Sequence, residues 1–268
     1  MIREYIIWIG LINIIFVSNS QKLGADGLLV RSAGLLESLL HHEHTSAIPL
    51  LYGDFSLNAS NALTSELFLD MGVARLCPTH DCNANQLAAL ASSLSSDYDP
   101  RRLEVIIHQH LPIFHTEHCV FCRFLSDGNS YRDCGHPCEK HNVHLRDSSG
   151  QDHVVMADMG CRNTVFNSSS QSAVRYLDIL RDSNYGVMRV ELLDEEDASI
   201  PGILEGYRAV LHGITTPEEH WVFLTELRDS TGRQQGVTEG SLVVRSETFA
   251  LKPTSASIKN GTTMQALS

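Results

Sequence analysis

The chain reads as an α/β protein, a TIM-like (β/α) barrel incomplete at its N-terminus and carrying a Cys/His-rich insertion. Three observations predict this. Short apolar runs alternate with amphipathic segments along most of the 268 residues, the rhythm of βαβ units on a parallel sheet. Polar or small residues follow the apolar runs, at the strand C-termini where barrel chemistry collects. Between His108 and Cys161 the rhythm stops. Five of the seven cysteines crowd there with eight histidines.

The elements follow in order. GLLV at 27–30 predicts a strand and 33–42 a helix. IPLLYGD at 48–54 predicts a strand, with a helix from about 59 to 71. VARLC at 73–77 precedes a helix over about 84–95, and LEVIIH at 103–108 is the next strand. After the insertion, VVMAD at 154–158 reads as a strand and 171–181 as a helix. VMRVEL at 187–192 is a strand, with a helix near 203–211. Pro217 then opens another over 218–228. Six strands are clear and residues 6–17 offer a seventh, whereas a closed barrel wants eight. Asn58 and Asn83 stand where helix N-caps belong.

The domain reading is an irregular or apolar segment at 1–23, a barrel domain at 24–245 and a disordered polar tail at 246–268. Residues 6–17 are too short an apolar run for a confident membrane span, so no stable span is expected. They suit a buried strand or the core of a signal peptide, which keeps secretion as a minor alternative. A net charge of −12 argues against a broad electrostatic grip on nucleic acid.

Thiolate and imidazole bind soft and borderline metals. Cys119-Val-Phe-Cys122 has Cys-x2-Cys spacing and Cys134-Gly-His-Pro-Cys138 has Cys-x3-Cys spacing. Cys161 follows an apolar run. These spacings favour metal over disulfides, and hence a reducing compartment, cytoplasmic or organellar. Spacing alone leaves iron–sulfur and zinc level. His108, His110 and Asp158 sit at strand ends, where a hydrolytic metal or an acid–base pair would be built. Neither HExxH nor GxSxG occurs.

The segments EVIIH at 104–108, HCVFC at 118–122, YRDCGHPCEK at 131–140 and DMGCRNTVFN at 158–167 resemble the collagenase-like peptidase U-32 family. GDFSLNASNA at 53–62 and CPTHDCNANQ at 77–86 fit it too, so the resemblance spans roughly residues 24–245. It implies a barrel-like fold and, in several members, oxygen-independent hydroxylation of an RNA base or a ubiquinone precursor, with prephenate as hydroxyl donor. The family label itself implies a peptidase, metal-dependent or of unassigned type. A truncated barrel that binds metal without turnover, and one completed by a partner subunit, are further readings. The resemblance implies a [4Fe–4S] cluster on Cys119, Cys134, Cys138 and Cys161, with Cys122 as alternate. Pro112 stands where the family's first motif cysteine falls.

Overall fold

A computed structural model describes residues 25–41, 49–158 and 160–244. The expected strand or signal core at 6–17 and the polar tail lie outside the described residues.

Five parallel strands form the body. They are β1 (Gly27–Val30), β2 (Leu50–Gly53), β3 (Arg75–Leu76), β4 (Glu104–Gln109) and, late in the chain, β10 (Val187–Val190). A parallel bridge from Leu76 to Leu103 joins β3 to the start of β4, giving the spatial order β1-β2-β3-β4-β10. Helices α1 (Ala33–Leu40), α2 (Ala62–Asp70), α3 (Ala84–Ser92), α5 (Leu177–Asp182), α6 (Ile200–Leu211) and α7 (Pro217–Thr225) bury Leu36, Leu69, Leu87, Leu180, Ile203 and Leu224 in one core with Val105 and Ile107 of β4. Asn83 caps α3 through a capping box with Gln86, and Thr216 caps α7 likewise with Glu219. Asn58 does not cap a helix N-terminus. It ends a short 3-10 turn in a left-handed conformation, and Asn61 caps α2 instead. An asparagine suits either position, so the sequence did not separate them.

The body is α/β as expected, yet no closed barrel forms among the described residues. The largest difference is at 154–158. This run belongs to β7 (Asp152–Ala157), which pairs antiparallel with β6 (Val143–Arg146) and β8 (Asn163–Phe166). With β5 (Pro112–Thr116) these strands make a separate four-stranded antiparallel sheet, β5-β8-β7-β6. An apolar run cannot say which neighbour it pairs with; the Asp147–Gly150 turn decides, folding β6 back on β7. Residues 171–181 also divide. Gln171 lies in β9 (Ser170–Ser172), antiparallel to β4, and the α-helix begins only at Leu177. Short β11 (Val237–Thr238) pairs with β9.

The cysteine segment lies between β5 and β6. Its helix α4 (Val120–Leu125) is pinned to the antiparallel sheet by Phe121, packed with Val155 and Val165 in a small second core.

Candidate functional site

One cavity opens where the parallel strands end, and a second adjoins it within the cysteine segment. The first is a cleft of about 420 Å³. Arg31 after β1, Phe55 after β2, His110 after β4 and Glu191 after β10 line one side, and Met156, Asp158 and Phe166 of the antiparallel sheet the other. Its size suits a small organic ligand.

Beneath the cleft a buried polar group is assembled around Glu195. Nε2 of His108 lies 3.2 Å from Oε1 of Glu195, and Nε2 of His110 lies 3.2 Å from the same oxygen. Nδ1 of His110 hydrogen-bonds the carbonyl of Asn167 at 2.7 Å. Nδ1 of His108 reaches the Tyr207 hydroxyl at 3.1 Å, and that hydroxyl also meets Ser172 Oγ at 2.6 Å and the Ile107 carbonyl. Oε2 of Glu195 accepts from the backbone N–H of Leu193 and Asp194. Burial pushes the Glu195 carboxyl up, but the hydrogen bonds from His108 and His110 prevail and hold it well below the usual carboxylate range. A bulge helps place the histidines: β4 carries one residue more than β10 around Ile107.

The sequence-predicted trio divides here. His110 and Asp158 both line the cleft, whereas His108 is fully buried behind it. Among the described residues, only His144, Asp194 and Asp229 bring three ligand-type atoms within 4.8 Å of one another. His108, His110 and Asp158 therefore do not form a converged metal site. Sequence reading missed Glu195, although it stands in the acidic stretch that follows the β10 strand. It also missed an ion-pair group on the body. Arg189 meets Asp54 at 2.5 Å, Glu104 at 2.9 Å and Glu191 at 3.1 Å, and Arg31 meets Asp54 at 2.5 Å. Burial raises the affinity of Glu191 for its proton, with Arg189 opposing.

The second cavity, about 300 Å³, is lined by all five insertion cysteines, Cys119, Cys122, Cys134, Cys138 and Cys161, and by His118 and His136. All five are free thiols, partly exposed. Cys119 accepts from the backbone N–H of Cys122 at 3.4 Å and faces Asn163 Nδ2 at 3.9 Å. Asn163 also accepts the Val120 N–H at 2.6 Å, which locks α4 beside Cys119. Cys161 has a left-handed backbone, φ 61°, following Gly160 at φ 79°. For a side chain bearing Cβ this costs roughly 1–2 kcal/mol. Burial raises the Cys122 thiol pKa, and the nearby Cys134 and Cys119 add to it; burial and Cys119 do the same for Cys138.

The donor set, five thiols with two histidines on one cavity, fits either an iron–sulfur cluster or a zinc ion. A zinc ion with bonds of about 2.3 Å draws four sulfurs to roughly 3.8 Å apart. No three of these sulfurs lie within 4.8 Å of one another. Pro112 stands in β5 and lines the cleft rather than the cysteine cavity. A cluster here would draw its fourth thiolate from within the insertion.

Among the described residues no helix is long and apolar enough to cross a membrane. No curated protein and no solved structure matches the chain. The family model described as Peptidase family U32 matches residues 14–247, most of the chain and every element described above. The chain belongs to peptidase family U32.

Proposed function

We propose that the chain is an iron–sulfur enzyme of this family that hydroxylates a small aromatic substrate without oxygen, the cluster held by Cys119, Cys134, Cys138 and Cys161. The observation that carries the reading is the shared wall. Ala157 and Asp158 line both the cleft and the cysteine cavity, so a ligand in the cleft lies next to the thiols. When bound, an iron–sulfur cluster supplies one-electron redox chemistry. A reducing compartment, cytoplasmic or organellar, goes with this reading.

The chain's own residues bind and orient the ligand. Phe55, Met156 and Phe166 give the cleft apolar walls for a flat ring. His110 stands on the wall with both ring nitrogens held, Nε2 by Glu195 and Nδ1 by the Asn167 carbonyl, so it fixes the shape and charge of that wall. Arg31 lines the cleft and, though paired with Asp54 at 2.5 Å, supplies a guanidinium for the carboxylates of a hydroxyl donor such as prephenate. Asp158 and Glu191 oppose it and make the cleft poor in positive charge. This favours a quinone precursor over RNA, whose phosphates demand a basic track.

The test is anaerobic purification with iron and sulfide analysis. The expected result is a brown protein with about four irons and four sulfides per chain, lost in Cys119→Ser and Cys138→Ser and kept in Cys122→Ser. A colourless protein with stoichiometric zinc overturns the reading. So does peptide cleavage that survives Cys119→Ser and Cys134→Ser, which would favour the peptidase.

A further inference from the structure

His144 lies in β6, on the antiparallel sheet. Asp194 and Asp229 belong to the body, in the loops after β10 and α7. The two loops are stitched together by an antiparallel bridge between Glu195 and Asp229 and by the Ser230 N–H donating to the Asp194 carbonyl. Ligand atoms of the three side chains lie within 4.8 Å of one another, and the side chains are only 16%, 13% and 10% exposed. Each carboxylate has one oxygen held by its loop. Oδ1 of Asp194 accepts from Ser230 Oγ at 2.5 Å, and Oδ1 of Asp229 accepts from the Thr231 and Arg233 N–H groups at 2.9 Å.

The other atoms are the informative ones. Nε2 of His144 and Oδ2 of Asp194 are sealed from solvent, and neither has a hydrogen-bond partner. They face one another at 3.6 Å. A charge-assisted hydrogen bond would close to about 2.8 Å. Two buried polar atoms held apart without partners are costly. The gap instead resembles the edge of a coordination shell, about 3.4 Å for a tetrahedron with bonds near 2.1 Å.

We infer that His144, Asp194 and Asp229 form a divalent-cation site that ties the cysteine-bearing sheet to the α/β body. One imidazole and two carboxylates suit a borderline ion such as zinc, manganese or iron(II). Arg233 Nε lies 3.3 Å from Asp229 Oδ2 and offsets one of the two negative charges, leaving one for the ion. The same arginine pairs with Asp152 of β7, so charge already bridges sheet and body beside the site. The ion would also steady the loop that presents Glu195 to His108 and His110, because Asp194 precedes Glu195 directly.

The test is titration of the full chain with cobalt(II), followed by absorption. Cobalt on thiolates shows intense near-ultraviolet charge transfer; cobalt on nitrogen and oxygen alone shows only weak visible bands. The expected result is one equivalent of the second kind, lost in both His144→Ala and Asp194→Asn while the thiolate-bound signal stays. If those variants do not fold, His144→Gln is read in the same way, and a zinc-soaked crystal of the unaltered chain should show a peak of anomalous density between the three side chains. Cobalt bound only with thiolate charge transfer overturns the site, as does a nitrogen–oxygen signal that survives the substitutions or a crystal with no anomalous peak there.

Discussion

Nε2 of His108 and Oε1 of Glu195 stand 3.2 Å apart with both side chains wholly buried, although 87 positions separate them in the chain. Glu195 thereby fastens the end of β4 to the loop after β10. Glu195→Ala should lower unfolding free energy by about 2–4 kcal/mol, because it leaves buried imidazole nitrogens unpaired. Glu195→Gln keeps an acceptor and should cost less. Urea denaturation of the two variants checks the order; equal stability of Glu195→Ala and the parent would refute it.

Arg189 offers the sharpest stability test on the body. It serves Asp54, Glu104 and Glu191 at once, and Asp54 is fully buried. Arg189→Met should cost about 3–5 kcal/mol by stranding buried carboxylates. Pairing it with Asp54→Asn should recover part of that loss. The two losses simply adding, in a double-mutant cycle, would show that the pair is not coupled.

His220 should make stability depend on pH. Burial, with His108 nearby, drives its pKa down to about 4. Between about 6.5 and 4 the unfolded chain binds a proton that the folded chain refuses. Stability is therefore full above about 6.5 and falls as the pH drops towards 4, by up to roughly 3 kcal/mol. His220→Leu should flatten this part of the profile, measured as Tm at pH 7.5 and 5. A parallel slope in both proteins would assign the effect elsewhere.

Asn163 positions Cys119 without being a thiol. It is fully buried, accepts the Val120 N–H at 2.6 Å and faces the Cys119 sulfur at 3.9 Å. Asn163→Ala should cost about 1–3 kcal/mol and reduce the iron retained after anaerobic reconstitution. Asn163→Asp, which keeps the acceptor for Val120, should restore folding more than it restores iron. Full iron content in Asn163→Ala would show that α4 places Cys119 by itself.

Much of the body was legible in the sequence because its signals are local. GLLV at 27–30 became β1 unchanged, the Asn83 cap starts α3, and Pro217 starts α7. Phe55, His110 and Glu191 follow β2, β4 and β10 and line one cleft because successive parallel strands end on one side. Run 154–158 fits the parallel rhythm by its apolar residues but pairs antiparallel, as the Asp-Ser-Ser-Gly turn at 147–150 signals.

The sequence by itself determined the family, the α/β rhythm and the supply of thiols, since each is written in short stretches of neighbouring residues. Tertiary structure alone decided that Cys161 joins the other four cysteines in one cavity, that Glu195 rather than Asp158 backs the histidines, and that His144 meets Asp194 and Asp229. Those meetings depend on which strand pairs with which and on where loops distant in the chain are brought together. Hydrophobic patterning specifies that a face is buried, but it does not name the polar side chain that will stand across from it.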